Sequence, residues 1–170
     1  MKCVKIATAI ALCLAMGQAF AQTCTPGPTG PLPLTQAGVT GVDSCAQANT
    51  VGVLCSFQNS PSPDVIFSFT LGAGFTATQI SASTGTATFQ PNLIVQAACG
   101  STDDCTGQAN AAALAGTATL VFADQSPAIG AGSYFLVVTG TSQSVATDCG
   151  TFSLAVNGTL PVQLQKFSVD

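Results

Sequence analysis

DVIFSFTL, residues Asp64 to Leu71, sets Val65, Phe67, Phe69 and Leu71 at every second position, with Ser68 and Thr70 between them. Successive side chains of an extended chain point to opposite faces, so this period reads as a half-buried β-strand. The same alternation recurs in Asn92–Cys99 (Leu93, Val95, Ala97, Cys99), in Thr117–Ala123, in Ser133–Thr139 and in Thr151–Asn157 (Phe152, Leu154, Val156). Leu160, Val162 and Leu164 carry it into the tail. Clusters of Gly, Pro, Asn, Ser and Asp separate the runs. Only Gln108–Leu114, QANAAAL, has helical propensity, and it is expected to form one or two turns on a loop. Many short strands with turn residues between them predict an all-β fold, a two-sheet antiparallel β-sandwich that is jelly-roll-like and disulfide-stapled.

The chain opens with Met1-Lys2-Cys3-Val4-Lys5, a short basic start, followed by apolar residues from Ile6 to Met16. That stretch is too short to span a bilayer, and Ala19-Phe20-Ala21 places small residues where a signal peptidase reads them. Residues 1–21 are therefore expected to be a signal peptide, with cleavage near Ala21 and a mature start at Gln22. Neither Cys13 after Leu12 nor Cys24 after Thr23 fits a lipidation box. Residues 22–34 form a Pro/Gly-rich lead-in or edge segment, because CTPGPTGPLPL removes backbone donors and disfavours helix. Residues 35–158 then make one domain, and 159–170 a strand-like C-terminal tail.

Without the leader, Lys166 is the one basic residue facing seven aspartates, a formal charge of −6. No basic patch is left to neutralise phosphates, so no nucleic acid is expected as partner. Six of the eight cysteines remain: Cys24, Cys45, Cys55, Cys99, Cys105 and Cys149. An even count in an exported chain without histidine or a C-x-x-C pair reads as three disulfides rather than a zinc site. The short separation of Cys99 and Cys105 suits closure of a hairpin or loop, so these two are expected to pair. The pairing of Cys24, Cys45, Cys55 and Cys149 stays open, with Cys55 to Cys149 one option that would close a long loop.

Histidine is absent, which excludes Ser-His-Asp and Cys-His nucleophile pairs. A Ser-Lys dyad would have to use Lys166 in the tail. There is no P-loop, dinucleotide fingerprint or G-x-S-x-G elbow. Paired carboxylates could do acid and base work if Asp103 and Asp104, or any of Asp43, Asp64, Asp124 and Asp148, came together. A sharper use of Asp103 and Asp104 is calcium: with Ser101 and Thr102, in a loop closed by Cys99 and Cys105, they would cluster hard oxygen ligands. Aromatic platforms for sugars use Trp and Tyr, and the chain has no Trp and one Tyr, Tyr134.

Four segments resemble successive strands of the bacterial pre-peptidase C-terminal domain: PDVIFSFTL (Pro63–Leu71), NLIVQAACGSTDDC (Asn92–Cys105), GAGSYFLVVTGT (Gly130–Thr141) and CGTFSLAV (Cys149–Val156). The resemblance covers residues 60–158 best and 24–59 loosely. It implies a small, non-catalytic β-sandwich of the kind attached to secreted peptidases, some members of which bind polymers or calcium. Pro91-Asn92 stands where the family often has an acidic residue, so the resemblance itself supplies no calcium site. It also implies that Tyr134 is a core position whose hydroxyl finds a backbone partner.

The expectation is a stand-alone secreted module, periplasmic, cell-surface or extracellular, with no enzymatic activity, no cofactor beyond a possible calcium ion and no membrane span. It would bind or adhere to a protein or an extracellular polymer. The alternative is a structural subunit of a surface layer or filament that self-associates, lending its C-terminal strand to a neighbour. A surface of Thr, Ser, Gln, Asn and Ala has little long-range repulsion and suits either.

Overall fold

A computed structural model describes residues 22–24, 30–51, 53–55, 58–59, 61–74, 79–100, 105–141 and 148–160. The expected signal peptide and residues 161–170 of the tail, Lys166 included, lie outside the described residues. Among the described residues no helix is long and apolar enough to cross a membrane.

Among the described residues eleven strands are formed: β1 (Leu32–Pro33), β2 (Val39–Asp43), β3 (Val53–Leu54), β4 (Gln58–Asn59), β5 (Val65–Leu71), β6 (Gln79–Thr84), β7 (Pro91–Gln96), β8 (Gly107–Asn110), β9 (Thr117–Val121), β10 (Gly132–Gly140) and β11 (Thr151–Asn157). They build a five-stranded sheet in the order β1-β5-β10-β7-β8, a four-stranded sheet in the order β2-β11-β6-β9, and the small β3-β4 hairpin. From β5 to β7, and again from β8 to β11, the chain passes back and forth between the two large sheets, as jelly-roll connections do. All pairings are antiparallel except β1 with β5, where the lead-in forms a parallel edge. Pro33 is tolerated there because one side of an edge strand needs no ladder donor.

The inner faces meet as the period-2 reading requires. Val65, Phe67, Phe69 and Leu71 of β5 pack with Leu93 and Val95 of β7, Leu136 and Val138 of β10, Ile80 and Ala82 of β6, and Phe152 and Leu154 of β11. Phe67 meets Phe152 edge-on at 6.3 Å between ring centroids, and Phe69 stacks on Phe122 at 6.1 Å. Tyr134 packs against Phe69 at 5.6 Å and donates its hydroxyl to the Gly130 carbonyl (3.1 Å), the partner expected of it. Leu160, the first residue of the expected tail strand, is buried in its own molecule's core, and its N–H donates to Gln36 Oε1.

Three expectations change. QANAAAL is not helical: Gly107–Asn110 is β8, laddered to β7 from Val95↔Gly107 to Asn92↔Asn110. A seven-residue run is too short to hold a helix against a ready strand partner. The strand expected over Asn92–Cys99 is β7, and it ends at Gln96.

The cysteines, third, pair Cys24–Cys99, Cys45–Cys149 and Cys55–Cys105, with Cα separations of 5.5, 5.1 and 5.2 Å. Neither Cys99–Cys105 nor Cys55–Cys149 is formed. The β7-β8 turn is already closed by backbone bonds such as Thr106 N–H to the Val95 carbonyl, which frees both cysteines to hold segments distant in sequence. Bridges spanning 75, 104 and 50 residues each stabilise by about 4 to 5 kcal/mol in the chain-entropy model, roughly twice what the short loop would give.

The start of β2 depends on two glycines with positive φ. Gly38 (φ 68°) lies against the Leu154 carbonyl, where a Cβ would collide with backbone, whereas Gly41 (φ 68°), at the bulge opposite β11, has open space. Gly41→Ala should therefore cost only the left-handed strain, about 1 kcal/mol. Gly38→Ala should cost about 3 kcal/mol, because strain and overlap add. Urea unfolding midpoints of the two variants measure the difference.

Candidate functional site

Among the described residues the aspartates do not share one site. Asp103 and Asp104, with Ser101 and Thr102, lie outside the described residues. The closed loop that would have gathered them is not formed, since Cys99 and Cys105 bond to Cys24 and Cys55. Asp43 caps a short 3-10 turn by accepting from Cys45 N–H (2.9 Å), Asp148 accepts from Gln90 N–H (2.9 Å), and Asp124 is exposed on the turn after β9. Among the described residues no group of three or more Cys, Asp or Glu is placed to hold a metal ion.

Asp64 is the exception in character. It is fully buried immediately before β5, and its Oδ2 accepts from Thr50 N–H (2.9 Å) and Val51 N–H (2.7 Å), while Oδ1 is buried with no partner among the described residues. Burial penalises the charge more than the two backbone bonds favour it, and pushes the carboxyl from the ordinary 3.8 up to about 6. Next to it, Gln22 is also buried: Oε1 accepts from Ile66 N–H (2.6 Å), and Nε2 donates to the carbonyls of Ile66 and Gly30 (both 3.3 Å). The Thr50 hydroxyl donates to the Gln22 carbonyl (3.1 Å), joining the two groups.

This polar network belongs to a cover. Ile66, Val137 and Ile94 are directly opposite one another on the outer side of the five-stranded sheet, and all three are fully buried. Val51 and Cys55 pack onto them, with Cys99 and Phe135 at the margin. Cys24–Cys99 and Cys55–Cys105 staple the covering segments down. Sequence reasoning passed over Gln22 and Thr50; the one available signal was an aspartate set directly before the most apolar strand.

The outer side of the four-stranded sheet is open and of different chemistry. Across β11, β6 and β9 it presents the rows Ser153–Ser83–Thr117, Ala155–Ser81–Thr119 and Asn157–Gln79–Val121, and these three strands contain no charged residue. Ser81 and Thr119 share a hydrogen bond of 3.1 Å. At one end lies a shallow groove of about 570 Å³ lined by Ser83, Thr84, Thr86, Thr151 and Ser153 around Gly85 and Phe152. Its wall is held by the Thr84 hydroxyl donating to the Thr151 carbonyl (2.6 Å) and by Thr151 N–H donating to Thr86 Oγ1 (3.2 Å). Such a surface offers mainly neutral donors and acceptors on a rigid frame, with the Asp43 carboxylate exposed at its β2 edge opposite Thr151.

The buried carboxyl has a consequence for stability. A group whose folded pKa lies above its unfolded value binds its proton more tightly when folded, so its charge weakens the fold above pH about 6 and the penalty fades toward pH 4. The stability difference between wild type and Asp64→Asn should accordingly favour the variant at pH 7.5 and shift toward wild type by about 2 kcal/mol by pH 4. Denaturant unfolding of both proteins across that range measures it.

Comparison of the chain with protein-family models, with curated proteins and with solved structures finds no match in any of the three.

Proposed function

We propose that the chain is a secreted, non-catalytic β-sandwich module that binds or adheres to an extracellular polymer through the open face of its four-stranded sheet. The observation that carries this reading is the asymmetry of the two outer faces. One is closed by a stapled cover, while the other, across β11, β6 and β9, is an uncharged array made mostly of hydroxyl and amide side chains and ending in a groove, with Asp43 of the edge strand β2 exposed opposite Thr151. Neutral hydroxyls recognise neutral polyhydroxylated or amide-bearing chains by hydrogen bonding, with no long-range attraction for charged ones. Three disulfides suit an oxidising compartment outside the cytoplasm. The absence of histidine from the sequence removes the commonest general base. The pre-peptidase C-terminal resemblance of four segments points the same way, toward an accessory domain rather than an enzyme.

The structural-subunit reading differs in oligomeric state. Strand lending would have to use residues after Leu160, which is committed to its own core. Light scattering behind size-exclusion chromatography should find the oxidised protein monomeric, and ordered polymers would favour the subunit instead. Retention on immobilised neutral polysaccharides in affinity electrophoresis should then fall about tenfold or more in the double variant Ser83→Arg/Thr117→Arg, with the unfolding midpoint unchanged. Equal retention of variant and wild type would remove this face from consideration.

A further inference from the structure

We propose that Gln22, as the N-terminal residue left by cleavage after Ala21, is guarded by the fold against cyclisation to pyroglutamate. The inference rests on the leader reading of residues 1–21 and not on what the module binds. A free N-terminal glutamine cyclises when its neutral α-amine attacks its own side-chain Cδ. A lactam C–N bond forms, the Cδ–Nε2 bond breaks, and Nε2 leaves as ammonia with the proton given up by the amine. The reaction needs the carboxamide to swing back onto the backbone nitrogen.

In the folded chain that movement is opposed at every atom of the group. Oε1 is held by Ile66 N–H at 2.6 Å, and Nε2 donates to the carbonyls of both Ile66 and Gly30. The amide thus stands in for a strand residue beside β5, just ahead of the point where β1 begins to pair at Leu32↔Phe67. The residue is only 7 % exposed, its carbonyl is tied to the Thr50 hydroxyl, and two residues later Cys24 is bonded to Cys99. Cyclisation would also remove the Nε2 donor and leave the two carbonyls without it, a loss that buried acceptors resist. Folding and cyclisation are therefore competitors: the first to occur blocks or weakens the other.

The test uses the exported, oxidised protein, incubated folded at pH 8 and, in parallel, reduced and unfolded in urea, with intact mass followed over days. The expected result is a chain beginning at Gln22 that keeps its full mass when folded and loses one ammonia at least about tenfold faster when unfolded. The double variant Cys24→Ser/Cys99→Ser, checked for retained β structure by circular dichroism, should cyclise at a rate between the two. Equal rates in folded and unfolded wild type, a pyroglutamate already present in the freshly exported folded protein, or a mature chain that begins elsewhere would overturn the proposal.

Discussion

Ile66, Val137 and Ile94 face outward from the five-stranded sheet in one row across β5, β10 and β7, and an apolar row in that position cannot be left in water. Each such side chain contributes about 1.5 to 3 kcal/mol when covered. Among the described residues the cover is made from chain with little secondary structure of its own, Val51 and Cys55, with Gln22 bonded beside them to Ile66. A segment so poor in regular hydrogen bonds does not hold itself down. Two disulfides anchor it, and side-chain groups of Gln22 and Asp64 supply partners that a proper strand would have supplied.

That arrangement divides the molecule by chemistry. The five-stranded sheet is buried on both sides over part of its width, which makes it the rigid middle layer and explains why every residue of β7 is buried. The four-stranded sheet is buried on one side only, so its outward residues are free to be chosen for contact. They are mostly hydroxyls and amides, with Ala155, Val121 and the edge residue Asp43 among them, and are joined crosswise by bonds such as Ser81 to Thr119. The third disulfide, Cys45–Cys149, ties β2 to the entrance of β11, where Ser44 also exchanges hydrogen bonds with Gly150. The open face is therefore held at its edge as firmly as the closed one is held at its cover.

Strands with large apolar side chains at every second position, β5, β10 and β11, were legible because the period is strong and local. β2 (VTGVD) and β6 (QISAST) were not: their inward positions are held by Val39 and Val42 across a bulge and by Ile80 and Ala82 between hydroxyl residues, a pattern close to that of a loop. β8 was misread because Ala and Gln carry a helical leaning that a waiting partner strand overrides. Of the sites, the aspartates were visible as residue types, and only its place directly before the most apolar strand set buried Asp64 apart from exposed Asp124.

By itself the sequence determined what depends on residue type and short-range period: a β-sandwich, cysteines enough for disulfide bridges, and an acidic chain without histidine. Which cysteines meet, which outer face is closed, and which polar side chains are buried were decided only by the tertiary structure. Those outcomes join residues 13 to 104 positions apart, as Val51 to Asp64 and Cys45 to Cys149 are. Contacts at that range are chosen by how two sheets and a cover pack together, and no local pattern encodes the choice.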